Sequence, residues 1–188
     1  MRRMTLSLVL MLGTLTLSLG TGRAQRPDTS GPQKEAMKKL AFWVGEWEGN
    51  GWSMHGPGTR EEFTVHESVQ SKLGGILLLV QGLGKQKDAS GKETVGHDAL
   101  AVVSVDPKTG KYRFSHYTMQ GMSGEAELII NEKNMQWFLK GEGQPFQLRF
   151  TIEVQGDTWH EIGEFSQDGQ NWMQTMEMTL KRVGAGAK

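Results

Sequence analysis

Hydrophobic and polar residues alternate with period two over almost the whole chain after Phe42, between clear turn signals. Such alternation is the mark of strands with one covered face. Phe63, Val65, Glu67 and Val69 fall on one face, with Thr64, His66 and Ser68 on the other. Gly74-Gly75 precedes the apolar run Ile76 to Val80, and Ala99, Ala101, Val103 and Val105 alternate up to Asp106-Pro107-Lys108-Thr109-Gly110. That pentapeptide combines Asp, Pro and Gly, each of which favours a turn for its own backbone reason. Tyr112, Phe114, His116 and Thr118 share the next face, followed by Ala126, Leu128 and Ile130, then Met135, Trp137 and Leu139. Phe146, Leu148, Phe150, Ile152 and Val154 continue the pattern, and two segments, Trp159 to Phe165 and Trp172 to Leu180, flank Asp168-Gly169. With a first strand starting near Trp47, the expectation is an all-β domain of about ten antiparallel strands. The short connections favour an up-and-down barrel, whose closure removes exposed sheet edges. Only Gln33 to Phe42 reads as helix, with Ala36, Met37, Leu40 and Ala41 on one stripe.

The N-terminus has a different pattern. Arg2 and Arg3 precede an uncharged stretch from Met4 to Leu19, and Gly22-Arg23-Ala24 offers small residues where a signal peptidase cuts. The stretch is diluted by threonine and serine and is shorter than the roughly 20 apolar residues that a membrane helix needs. The expected organisation is a signal peptide at 1–24, a lead-in at 25–32, a calycin-like barrel domain at 33–183 and a frayed tail at 184–188. The mature protein is then exported, periplasmic or secreted, with no stable membrane span. The 188 residues contain no cysteine, which excludes disulfides, thiolate metal sites and a cysteine nucleophile. Twenty-one basic residues balance 21 acidic ones, so there is no basic excess of the kind a nucleic-acid binder shows.

Gly45-Glu46-Trp47-Glu48-Gly49-Asn50-Gly51 follows the short helix and fits G-x-W-x-G-x-G. This opening resembles that of calycin barrels, the lipocalin and nitrobindin types, and is most similar to nitrobindin-like haem proteins. The wider string Leu40 to Gly49, with Glu67, Leu73-Gly74-Gly75 and Asp168 to Trp172, is similar to a bacterial family of unknown function, domain family 1579. The resemblance runs from about Leu40 to Arg182. It implies that Gly45, Trp47, Gly49 and Gly51 form a structural motif in which Trp47 plugs one barrel end, covered by a basic side chain of the last strand. Lys181 and Arg182 stand where that side chain is due, and a guanidinium on the indole would add about 0.5–2 kcal/mol. Nitrobindin-like proteins ligate haem iron through a last-strand histidine, and Trp172 to Leu180 contains none. No cofactor is expected on that ground, since an axial ligand is indispensable. His116, beside Tyr112 and Phe114, is the one substitute on an aromatic face.

Catalytic patterns are absent from the sequence. His66-Glu67, His97-Asp98 and His160-Glu161 are neighbours along strands, so their side chains point to opposite faces. No H-E-x-x-H or phosphate-cradling G-x-x-x-x-G-K-[ST] occurs. Met119, Met122, Met173, Met176 and Met178 offer thioethers to Cu(I), but methionine more commonly fills apolar space. Glu67 breaks an apolar face. If that face is interior, the carboxylate needs a partner, for which Arg149 is one candidate, or it serves as a polar anchor for a ligand. The reading of function is a barrel binding a small apolar or amphipathic molecule through Glu67, Tyr112, Phe114, His116, Trp137, Phe150 and Met176. The alternatives are a haem-binding nitrobindin-like protein and a packed barrel that acts as an envelope interaction module. An apolar cavity of about 300–1,000 Å³ would separate the ligand binder from the packed module.

Overall fold

The computed structural model describes residues 28–54, 58–88, 90–140, 143 and 145–184. The expected signal peptide and most of the expected lead-in therefore lie outside the described residues, as do the last four residues. Ten strands close into one antiparallel barrel: β1 (Gly45–Met54), β2 (Arg60–Lys72), β3 (Leu77–Lys87), β4 (Glu93–Val105), β5 (Tyr112–Thr118), β6 (Ser123–Ile130), β7 (Met135–Lys140), β8 (Gln147–Gln155), β9 (Thr158–Ser166) and β10 (Met173–Gly184). Each strand pairs with its neighbours in sequence, and β1 pairs with β10 to close the ring. No described strand edge is left open, which is what so many half-apolar strands require.

The helix differs from its expectation at both ends. Helix α1 runs from Gly31 to Lys38, and Ala41–Trp43 forms a separate 3₁₀ turn. The start comes early because Pro32 sits in the first helical turn, where its fixed φ and missing N–H cost nothing. The end comes early because the chain buries Met37, Leu40 and Trp43, three residues apart, rather than following a 3.6-residue stripe. Ala41, expected on the buried stripe, is exposed. At the other terminus β10 reaches Gly184, which pairs with Glu46, so the strand includes the first residue of the expected tail.

The barrel has two unlike ends. The plug end receives α1, the 3₁₀ turn and the β2–β3, β4–β5, β6–β7 and β8–β9 connections. Trp43, Trp47 and Trp159 are essentially inaccessible there and meet edge to face, with ring centroids 5.2 and 5.8 Å apart. Val69, Leu78, Val103, Leu128, Met135, Ile152 and Leu180 fill the space around them. Arg182 pairs with Trp47 across β1 and β10, and its guanidinium lies 3.9 Å from the indole centroid. The same guanidinium donates to the carbonyls of Val44 and Phe42 and to Asp157. Trp47 Nε1 donates to Trp43 O at 3.0 Å. The 3₁₀ turn is thus tied down by one arginine and one tryptophan from the first and last strands. Lys181 points outward instead, to Thr158 Oγ1.

Candidate functional site

The inward faces follow from register. Trp47 opposes Glu67, which opposes Gly82; Phe114 opposes Ala126; Trp137 opposes Phe150, which opposes Gly163, which opposes Met176. A recurring device appears once these pairs are set side by side. Five large inward side chains, Phe63, Glu67, His116, Phe150 and Met176, each lie over a glycine on a neighbouring strand. A Cβ at Gly82 would run into the Glu67 carboxyl, with its Cδ at 2.9 Å. One at Gly51 would meet Phe63 at 2.8 Å, one at Gly124 would meet His116 at 2.8 Å, and one at Gly163 would meet both Phe150 and Met176 at 3.0 Å. Glycine is needed at these positions for close approach of a neighbouring side chain.

Four of the candidate residues form one wall. The rings of Phe114 and Trp137 stack at 4.5 Å and those of Trp137 and Phe150 at 4.2 Å, with interplanar angles of 21° and 11°. His116 lies 5.9 Å from Trp137 and 6.4 Å from Phe114. Small residues on β6, Ala126 and Gly124, leave room for this stack to run from β5 across to β7 and β8. Met176 continues it at the far side, against Gly163. Tyr112 shares the parity of Phe114 and His116 but sits nearer the plug, where its hydroxyl donates to Ala36 O at 2.8 Å and holds α1.

Below the wall, next to the plug tryptophans, lie two carboxyls. Glu67 is 7% exposed and Glu161 is 6% exposed. Glu161 accepts a hydrogen bond from Trp159 Nε1 at 3.1 Å. Among the described residues no side chain hydrogen-bonds or ion-pairs with Glu67. Burial pushes the Glu67 carboxyl up to about 8, with the charge of Glu161 adding to the shift. Burial also raises Glu161 to about 8, opposed by the bond from Trp159. Arg149, weighed as a partner for Glu67, lies on the outer face, bonded to Glu164 at 2.7 Å and stacked 4.2 Å from the Trp172 ring.

Several other buried polar atoms lack partners: Trp137 Nε1, His116 Nδ1 and Thr118 Oγ1 on the inward face, and Trp43 Nε1 at the plug. Burial lowers the His116 pKa and so favours the neutral ring. A buried polar group left unpaired costs free energy comparable to a lost hydrogen bond, so three on one inner wall call for an explanation.

The remaining sequence candidates separate. His66 and His160 are on the outer face, 3.3 Å from Glu46 and 3.0 Å from Glu177. Met119, Met122 and Met173 are exposed, whereas Met176 and Met178 point inward, so the five thioethers do not form one set. Among the described residues no three His, Asp or Glu side chains gather as a metal-binding group. A cleft of about 210 Å³ opens beside the plug, between Phe42 and the β6–β7 turn. It contains none of the candidate residues. Sequence reasoning missed Glu161, although it alternates with Trp159, Gly163 and Phe165 and therefore shares their face.

No family model matches the chain, and no curated protein is similar to it. Among solved structures, the crystal structure of Rv2717c from M. tuberculosis is similar, with a TM-score of 0.57 and 15% identity. The similarity spans 78% of this chain and 96% of that one. At that identity the likeness concerns the fold: the closed antiparallel barrel is shared.

Proposed function

We propose that this protein is exported by its first 24 residues and binds a small apolar or amphipathic molecule in the half of the barrel opposite the plug. The G-x-W-x-G-x-G opening and the resemblance to domain family 1579 and to calycin barrels are part of this reading. One observation carries it. The inward aromatic stack of Phe114, Trp137 and Phe150 is accompanied by the unpartnered Trp137 Nε1 and His116 Nδ1. Aromatic area with a few convergent polar groups is the usual make-up of a small-molecule site. A barrel evolved only to be packed gains nothing from orphaned polar atoms in its wall.

Haem does not fit the residues present. β10 supplies Met176 and Met178 to the inward face and no histidine. His116 belongs to β5 and is packed over Gly124.

Native mass spectrometry of protein purified from its own host tests the reading directly, since a retained molecule adds its mass. Titration with an amphipathic, environment-sensitive dye gives a second readout through tryptophan quenching. Trp137→Ala and the milder Phe150→Leu are each expected to weaken dye binding about tenfold or more, a change of about 1.4 kcal/mol. Unchanged affinity in both variants would refute the site.

A further inference from the structure

The ionisable groups on the described inward positions are unevenly placed. Glu67 and Glu161 lie just above the plug; His97, His116 and Glu61 lie towards the mouth; Tyr112 and Arg182 lie at the plug itself. Among the described inward positions Arg182 is the one lysine or arginine, and it is engaged by Trp47, Asp157 and two main-chain carbonyls. The floor of the other half thus has two carboxyls and, among the described residues, no lysine or arginine side chain facing them. Glu67 is more than nine-tenths buried and has no hydrogen-bond partner among the described residues. Gly82 is kept free of a side chain so that this carboxyl fits. Above the floor stand Phe114, Trp137 and Phe150, stacked face to face on one another as an apolar wall for the body of a ligand.

Resting on the ligand-binding reading, we propose that the barrel takes an amphipathic organic cation, a protonated amine with an aromatic or apolar body. The ammonium seats on the floor formed by Glu67 and Glu161, and the body lies against Phe114, Trp137 and Phe150. The occupant supplies the donors that Glu67 lacks. It also supplies the positive charge that turns two costly buried carboxyls into paired ones. Both carboxyls are favoured in their neutral form in the free protein, because burial raises them to about 8. Seating a cation then expels a proton to solvent, so affinity for an amine rises with pH. A neutral ligand that accepts a hydrogen bond from a protonated carboxyl has the opposite dependence.

The test uses the mature protein and three probes of one shape: phenethylamine, 2-phenylethanol and 3-phenylpropionate. Binding is followed by calorimetry and tryptophan fluorescence between about pH 6 and 8.5, where the amine stays charged. The expected result is that phenethylamine binds at least about tenfold more tightly than the alcohol. It also gains affinity as pH rises and releases protons, seen as a buffer-dependent heat. The carboxylate binds worst. Glu67→Gln and Glu161→Gln each remove most of the amine's advantage over the alcohol, while a cooperative urea transition with native tryptophan fluorescence shows that the variants are folded. If the alcohol binds as well as the amine, or the amine loses affinity with rising pH, the cation proposal fails while the ligand site stands. If none of the three binds, both fail.

Discussion

Replacing Glu67 by glutamine changes one titratable atom and almost nothing in shape, so it isolates the cost of the buried carboxyl. The folded protein holds this proton at about 8, against an ordinary value of 4.5 in the unfolded chain. Folding therefore binds a proton across that window. The stability this group allows is fully present below about pH 4.5 and is lost as pH rises towards 8. Linkage over the interval from about pH 5 to 8 gives a loss of roughly 3 kcal/mol from this one group. Glu67→Gln has no such term. Urea unfolding of both proteins at several pH values, followed by fluorescence of the buried tryptophans, gives the comparison. Urea is preferred because guanidinium would screen the charge. The difference in unfolding free energy between Glu67→Gln and wild type should move in favour of the variant by about 3 kcal/mol as pH rises from about 5 to 8. All other groups cancel in that difference, apart from the coupling to Glu161. Parallel profiles would show that Glu67 ionises as it does in water, and a floor without cations would then be wrong.

Three further outcomes follow from the geometry. Arg182→Ala removes the stacked guanidinium and its bonds to Val44, Phe42 and Asp157. It should cost about 2–4 kcal/mol in urea unfolding, with Arg182→Lys restoring less than half. Gly82→Ala places a Cβ against the Glu67 carboxyl and should cost about 1–3 kcal/mol. In a Glu67→Ala background the cost should nearly vanish, and equal costs in both backgrounds would contradict the contact. Hemin titration should give no sharp histidine-ligated Soret band; a stoichiometric band abolished by His116→Ala would restore a haem role.

The barrel was legible because period two persists in nearly every segment after Phe42, and parity is a local property that a sequence displays directly. Which parity points inward was not readable from any one strand; the pairing around the barrel, rather than the local pattern, puts Tyr112, Phe114 and His116 on the inner face. Height along the barrel axis was not readable. It depends on the register of every strand pair, and a shift in any one moves all that follow. Tyr112 illustrates this: it has the same parity as Phe114, yet its hydroxyl ends on the helix at the plug. The glycine beneath Glu67 was hidden for the same reason, since Gly82 and Glu67 are fifteen positions apart and meet only through the β2–β3 register. Glu161 was hidden by a different cause. It was read as the neighbour of His160, a local acid–base pairing, rather than as the polar member of Trp159, Glu161, Gly163 and Phe165. At the N-terminus a 3.6-residue stripe was extended one turn too far, because burying Met37, Leu40 and Trp43 over a barrel end needs a tighter, three-residue spacing.

The two ends of the barrel divide the work of folding and binding. At the plug end, packing and hydrogen bonding agree: Trp47 has its acceptor, Trp159 has Glu161, Tyr112 has Ala36, and Arg182 engages three oxygens and a ring. Local and tertiary preferences point the same way there, which is the condition for a stable nucleus. The inward wall beyond it breaks the rules the plug obeys. Its unpaired indole N–H, imidazole nitrogen, threonine hydroxyl and carboxyl each subtract from stability. Four such costs persist in a chain only where the rest of the fold can offset them. Conflicts of this kind concentrate where a protein does something other than fold. His116, Thr118 and Trp137 cluster on β5 and β7, whereas at the plug Trp43 Nε1 is the one described buried side-chain atom without a partner; that clustering argues that this wall is shaped for an occupant. An occupant that brings donors to Glu67 and an acceptor to Trp137 Nε1 would relieve those conflicts, and the protein should unfold less readily when it is bound.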